Sequence, residues 1–129
     1  MKKILLFLAI SLSLFAVEDI RLKKAIEMSK DPAQQTKAAE KLLALSLEGE
    51  TKAMTQLGRL FLYGKGIPQD CKKGTYFLIN ALSKKEGSIP DPEAMKELAL
   101  MFKRGLCVKK NEVIFKKYMD KYLHMKKEF

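Results

Sequence analysis

Few side chains in this sequence could do chemistry on a substrate. The 129 residues include two cysteines, one histidine and no tryptophan. A serine activated by a lysine needs the spacing S-x-x-K, and no serine here has a lysine three residues later. A metal site needs several ligands, whereas His124 stands alone between Leu123 and Met125. The sequence therefore predicts a solvent-facing His124 and no catalytic residue, metal ligand or cofactor.

The first 16 residues resemble a secretory signal peptide. Lys2 and Lys3 precede twelve uncharged residues, and Ala16 is small enough for a signal peptidase to cut after it. Twelve residues of helix span about 18 Å, which is short of the roughly 30 Å hydrocarbon layer, so a membrane anchor is the weaker alternative. No cysteine lies near the junction, which disfavours a lipoprotein. We expect a signal peptide at 1–16, a mature domain at 17–129, and a periplasmic or secreted location.

Export changes the meaning of the two cysteines. In an oxidising compartment, Cys71 and Cys107 would form one disulfide, whereas two free thiols remain the alternative. The pair is not C-x-x-C, so the spacing does not favour a redox-active role.

Two segments of the chain repeat at an offset of 41 residues. Residues 53–61 align without a gap with residues 94–102, sharing alanine, methionine, leucine and phenylalanine positions three and four apart. Gly64 and Gly105 follow at the same offset and predict left-handed helix ends. Asp70 and Asn111 come six residues later as predicted N-caps. Each unit is therefore predicted to be a helix, a glycine-centred turn and a second helix.

A third copy lies upstream at an offset of 36 residues. Lys37-Ala38 matches Lys73-Gly74, and Asp31-Pro32 is expected to open that helix. Five residues inserted near 86–91 account for the different offset and predict an exposed loop. We expect approximate units at 18–50, 51–86 and 91–127, with helices near 18–30, 32–48, 51–63, 70–84, 91–104 and 111–126.

These residues resemble the Sel1-like repeats, which are related to tetratricopeptide repeats. One repeat follows the family pattern closely and the next is degenerate, with Ala99 and Cys107 at glycine positions. The matching positions are Ala53, Leu57, Gly58, Tyr63, Gly64, Gly66, Asp70 and Ala81, then Ala94, Leu98 and Gly105. The resemblance implies an all-α fold, a short α-solenoid of about three antiparallel helix hairpins, over roughly residues 20–125. A Cys71–Cys107 bond would then join neighbouring repeats.

The resemblance also implies a function carried by the surface. The leading hypothesis is an exported, non-enzymatic scaffold that holds a protein or peptide partner in the cell envelope, where it could be part of an envelope assembly. Some secreted relatives are linked to penicillin binding and β-lactam hydrolysis, so a cell-wall or β-lactam-related hydrolase is one alternative. A secreted effector acting on a host or neighbour is another.

The C-terminal segment is strongly basic. Residues 103–127 carry nine basic side chains and two acidic ones, Glu112 and Asp120. The candidate contact face comprises Lys109, Lys110, Lys116, Lys117 and Lys121. Such a face could meet an acidic protein, anionic lipid head groups or the cell-wall polymer, or it could be only the solvated side of the last helix. Export disfavours nucleic acid. The last helix is also amphipathic, and we expect its apolar stripe to pack in the core: Val113, Ile114, Tyr118, Tyr122 and Met125.

Overall fold

Residues 20–128 are described by a computed structural model, and every regular element in this range is an α-helix. The predicted signal peptide at 1–16 lies outside the described residues. The first helix, α1, covers residues 20–29. The others are α2 (Gln35–Leu47), α3 (Thr51–Tyr63), α4 (Cys71–Ala81), α5 (Pro92–Arg104) and α6 (Glu112–Glu128).

The helices pair as hairpins that stack on one another. The most extensive contacts join α3 to α4 and α5 to α6, as short turns between antiparallel helices require. Helix α3 also packs on α2, and both α3 and α4 contact α5, so successive hairpins are joined through their helices. The predicted all-α solenoid of stacked hairpins is confirmed.

Two apolar clusters lie between successive hairpins. The first combines leucines and alanines of α1, α2 and α3, and the stacked rings of Phe61 and Phe77, with centroids 5.8 Å apart, pack against it. The second joins Leu62 and Leu78 to Ala94 and other residues around α5. Burying each leucine contributes about 1.5–3 kcal/mol. Because both clusters draw on two hairpins, a single hairpin could not bury its apolar face alone.

Two glycines let α3 and α4 touch at the backbone. A Cβ atom at Gly58 would lie 3.0 Å from the Gly74 carbonyl oxygen and from the Leu78 side chain. A Cβ atom at Gly74 would lie 2.7 Å from Cγ of Leu62. Glycine destabilises a helix interior by about 1 kcal/mol. At these two positions the loss is offset because the absence of a side chain allows α3 and α4 to pack closely.

Helix ends follow local capping rules. Gly64 and Gly105 end α3 and α5 in the left-handed conformation, with φ of 64° and 65°. Asp70 caps α4 by accepting a hydrogen bond from the backbone N–H of Lys73 at 2.9 Å. Asn111 accepts from the N–H of Ile114 at 3.0 Å in the same way.

Helix α2 begins later than the sequence indicates. The predicted start at Asp31-Pro32 is wrong, because the Asp31 side chain accepts from the N–H of Ala33 at 3.0 Å and its carbonyl accepts from Gln34 at 2.9 Å. These bonds close a separate turn, and the helix starts at Gln35.

The predicted exposed loop at 86–91 is only partly exposed. Glu86 and Gly87 face solvent, but Pro90 and Asp91 are buried. The N–H of Asp91 donates to the carbonyl of Ala81 at 2.8 Å, which also explains why α4 ends at that residue.

One member of the predicted apolar stripe of α6 is exposed. Val113 is 78% exposed, whereas Tyr122 is buried. Val113 lies on the helix face that carries Lys116, Lys117 and Asp120, opposite the side that packs on α5.

The turn of the second hairpin fits against the start of α2. Thr36 donates from its hydroxyl to the carbonyl of Gly66 at 2.8 Å. A Cβ atom at Gly66 would lie 2.7 Å from the carbonyl carbon of Gln35 and 2.8 Å from the amide nitrogen of Thr36. Gly66 also has a φ of 77°, so two independent constraints act at this position.

We expect the substitution Gly66→Ala to destabilise the fold by about 2–4 kcal/mol, because a left-handed backbone penalty adds to a clash with α2. The matched control is Gly87→Ala, at a φ of 81° with no atom within 4 Å of the added Cβ. The control should cost only about 1 kcal/mol. Urea unfolding of both variants measures the difference, and equal losses would show that the contact with Gln35 contributes nothing.

Candidate functional site

A disulfide joins the second and third hairpins. Cys71 is the first residue of α4 and Cys107 lies in the turn after α5, with their Cα atoms 5.6 Å apart. Cys107 has a φ of 63°, the left-handed conformation that suits the glycine whose place it takes in the repeat. The bond therefore connects the edges of two neighbouring repeats, as the prediction of a Cys71–Cys107 pair expected.

The disulfide between the second and third hairpins occupies the position that is equivalent to the Gly66 contact between the first and second hairpins. Cys71 stands 36 residues after Gln35, and Cys107 stands 41 residues after Gly66. In both interfaces the turn of one hairpin meets the start of the second helix of the hairpin before it. A covalent bond in the second interface thus occupies the position of a van der Waals contact in the first.

Helix α3 carries a polar stripe toward the third hairpin, and two threonines form its buried part. Thr51 is 8% exposed and donates to the carbonyl of Ile89 at 2.6 Å. Thr55 is 1% exposed and donates to the carboxylate of Asp91 at 2.7 Å. These bonds tie the connection before α5 to the side of α3 and satisfy a buried carboxylate.

The outer part of the same stripe continues at four-residue spacing. Arg59 pairs with Glu97, with 3.2 Å between Nε and Oε1, and Glu97 is buried. Tyr63 accepts a hydrogen bond from the Arg104 guanidinium, which also lies 5.8 Å from the centre of the Tyr63 ring.

Sequence reasoning missed this stripe, although one signal for it was present. Thr51 and Thr55 lie four residues apart inside a predicted helix, where threonine is a poor helix former. Polar residues that recur at helical spacing on a face that should be apolar indicate a buried polar contact.

An open cleft of about 840 Å³ lies beside the inner end of this stripe. Parts of all three hairpins line it, namely α1, the connection between α2 and α3, the start of α3, the segment before α5, the start of α5 and the end of α6. Its lining includes Leu22, Gly49, Lys52, Ile89, Pro90 and Lys126. Ile89 is 69% exposed, so the cleft presents an apolar side chain together with the charged side chains of its lining.

A short hydrogen-bond chain fixes one side of the cleft. Lys126 donates to the hydroxyl of Tyr122 at 3.2 Å, and that hydroxyl donates to the Glu93 carboxylate at 2.9 Å. The hydrogen bond to Tyr122 raises the pKa of Lys126 above its ordinary value. The hydrogen bond therefore favours the charged form of Lys126 at the cleft.

The structure divides the five lysines of the predicted basic face. Lys109 and Lys110 lie in the turn before α6, beside the disulfide. The other three, Lys116, Lys117 and Lys121, are spread along α6, and all five are exposed. Because a helix rises about 1.5 Å per residue, Lys121 is more than 10 Å from the turn. The lysine pair in the turn is therefore a separate feature from the helical lysines.

The repeat-motif residues have structural positions. Ala53, Ala81 and Ala94 are fully buried and Leu57 is 1% exposed, while Leu98 packs against the second cluster. The glycines and Asp70 make the crossings, turns and caps described above. None of these side chains forms part of a chemical site.

The described residues offer little chemistry of their own. His124 is exposed, and its Nδ1 lies 2.8 Å from the carbonyl oxygen of Asp120. No group of three or more histidine, cysteine, aspartate or glutamate residues within 20–128 could hold a metal ion. Across the same range, no helix combines the length and the apolar character that a membrane crossing requires.

Stacked hairpins joined edge to edge define the class of short helical solenoids. A family model described as Sel1 repeat matches residues 51–84, which cover α3 and α4, and residues 92–114, which cover α5 and the start of α6. The second and third hairpins of the chain therefore contain Sel1-like repeats. Sel1 repeats are generally protein–protein interaction modules, which is consistent with a non-enzymatic scaffold. No curated protein and no solved structure matches the chain significantly.

We expect Thr55→Val to destabilise the protein by about 2 kcal/mol. Valine has nearly the same size as threonine, but the buried Asp91 carboxylate loses the hydrogen bond from the Thr55 hydroxyl. The control is Thr75→Val, a half-buried residue of α4 whose hydroxyl donates to the carbonyl of Cys71 in an exposed hydrogen bond. The control should cost less than about 0.5 kcal/mol. Denaturant unfolding gives both values, and a small loss at Thr55 would contradict a stabilising role for the stripe.

Removing the disulfide should cost about 3–4 kcal/mol, because the bond closes a loop of 36 residues in the unfolded chain. The double variant Cys71→Ser/Cys107→Ser should show this full loss. Cys71→Ser/Cys107→Gly should recover about 1 kcal/mol, since glycine adopts a φ of 63° without penalty. Urea unfolding by circular dichroism compares the two, and equal stabilities would show that Cys107 is not strained.

Proposed function

We propose that the protein is exported and acts in the periplasm or cell envelope as a non-enzymatic scaffold that binds a peptide or a domain of a partner protein. The cleft beside α3 carries this proposal. Its lining comes from all three hairpins, so only the stacked fold forms it. Ile89 offers an apolar anchor, and Lys52 and Lys126 offer charges that fix the orientation of a bound segment.

The disulfide and the N-terminal segment support export. A bond between Cys71 and Cys107 persists in an oxidising compartment and is rare in cytosol. The positively charged start and apolar run of residues 1–16 have the pattern of a cleaved leader. The exposed lysines along α6, Lys116, Lys117 and Lys121, provide a second contact, with an anionic surface such as cell-wall polymer or lipid head groups.

Affinity capture from envelope extract with the oxidised protein tests the binding role. We expect a partner whose recovery falls at least about fivefold with Ile89→Asp, because a charge at the apolar edge of the cleft opposes burial. The matched control is Leu47→Asp, which makes the same kind of change at an exposed leucine of α2. Equal recovery with both variants, or no enrichment at low salt, would refute the cleft as the binding site.

Cell fractionation combined with intact mass measurement tests export. The proposal expects the folded protein in the periplasm, without its first residues and with both cysteines oxidised. Recovery from culture supernatant would favour a secreted effector. Full-length protein in the cytoplasm with two free thiols would overturn export.

A further inference from the structure

One edge of the solenoid concentrates positive charge. We define the turn edge as residues 64–73 and 103–111, the turns of the second and third hairpins together with the adjoining helix ends. It holds one carboxylate, Asp70, and seven exposed cations: Lys65, Lys72, Lys73, Lys103, Arg104, Lys109 and Lys110. The carboxylate of Asp70 is already used to cap α4. Within residues 20–128, neither of the two ion pairs involves any of these cations.

The disulfide assembles this charge from two different repeats. Lys72 follows Cys71 directly, and Lys109 comes two residues after Cys107. With the cysteine Cα atoms 5.6 Å apart, the Cα atoms of these two lysines lie within about 17 Å of each other. The two lysine pairs, Lys72–Lys73 and Lys109–Lys110, repel each other because they carry like charge, and the covalent bond between the neighbouring cysteines opposes this repulsion.

Aromatic rings hold several of the cations in place. Lys65 and Arg104 come from different repeats and lie 5.5 Å and 5.8 Å from the centre of the Tyr63 ring. Lys73 lies 5.7 Å from the ring of Phe61. Cation–π contacts of this kind restrict long side chains, so less conformational entropy is lost when an anionic partner binds.

The exposed large apolar side chains of residues 20–128 lie outside the turn edge. This distribution favours a peptide over a membrane as the partner of the turn edge. Among residues 20–128, the exposed large apolar residues are Ile20, Leu43, Leu47, Tyr76, Ile79, Ile89, Val113 and Leu123, and none belongs to the turn edge. An amphipathic surface that lies in the bilayer interface inserts apolar side chains beside its basic ones, whereas basic side chains alone attract anionic lipid only through charge. The exposed side chains of the turn edge are mostly charged, which suits a water-exposed chain of carboxylates.

We propose that the turn edge binds an acidic, Asp- and Glu-rich segment of a protein partner and that the Cys71–Cys107 bond assembles this binding surface. This inference rests on the scaffold role proposed above but uses a surface distinct from the cleft. Binding is steered by charge, so it weakens as salt screens the lysines. Loss of the disulfide separates the two lysine pairs and weakens binding without removing any charge.

A labelled peptide of alternating Glu and Gly, about 12 residues long, tests the proposal by fluorescence anisotropy with the oxidised full-length domain. The variant Lys72→Glu/Lys109→Glu should weaken binding about tenfold or more. The matched control, Lys84→Glu/Lys85→Glu, makes the same charge change at two exposed lysines before α5 and should weaken it less than about twofold. Equal losses would show that net charge alone attracts the peptide and would overturn the proposal.

Two further measurements separate the parts of the proposal. Cys71→Ser/Cys107→Gly keeps every lysine, so binding reduced about threefold or more would support assembly by the disulfide, whereas unchanged binding would refute it. Ile89→Asp should leave peptide affinity unchanged, which separates this surface from the cleft. A third measurement uses phosphatidylglycerol vesicles. If the protein binds these vesicles but not the peptide, and Lys72→Glu/Lys109→Glu abolishes vesicle binding, the partner of the turn edge is a lipid surface and the proposed acidic segment is refuted.

Discussion

The stack depends on a contact that is made twice, in which the turn of one hairpin meets the start of the second helix of the hairpin before it. At the first interface a glycine allows the approach, because a Cβ at Gly66 would enter the backbone of Gln35 and Thr36. At the second interface the same place holds the Cys71–Cys107 bond. A close backbone approach and a disulfide are two solutions to one geometric demand, since both fix how far one hairpin lies from the next. The distance between hairpins at these turns determines how closely the apolar side chains of the two clusters can pack.

Once the edge is fixed, the opposite side of the stack follows. The buried hydroxyls of Thr51 and Thr55 reach the segment before α5 only because the third hairpin is held beside α3. Their bonds draw Pro90 and Asp91 into the protein and leave Ile89 exposed at the cleft. The cleft is therefore a consequence of stacking, and no single repeat contains it. A repeat protein with few catalytic residue types can still present two different surfaces, one partly apolar and one cationic, at opposite edges of the same hairpins.

Much of the fold could be predicted because its signals are local. The glycines that end α3 and α5, and the caps Asp70 and Asn111, act within a few residues of themselves. The errors at the end of α4 and on α6 arose where contacts with other elements decided what local rules could not. The carbonyl of Ala81 accepts from Asp91 and ends α4 early, and Val113 proved exposed because spacing alone did not determine which face of α6 meets α5.

The sequence by itself determined the helical class, the repeat unit and the family likeness, since each follows from residue types at short or regular spacing. The polar stripe, the cleft and the grouping of lysines were decided only by tertiary structure. Thr55 and Asp91 are 36 residues apart, and Tyr63 and Arg104 are 41 apart. Contacts at such separations depend on the relative placement of whole hairpins, which is set by the packing of Leu62, Leu78 and their neighbours and by the turn contacts. Helical periodicity assigns a residue to a face, but only stacking determines what that face meets.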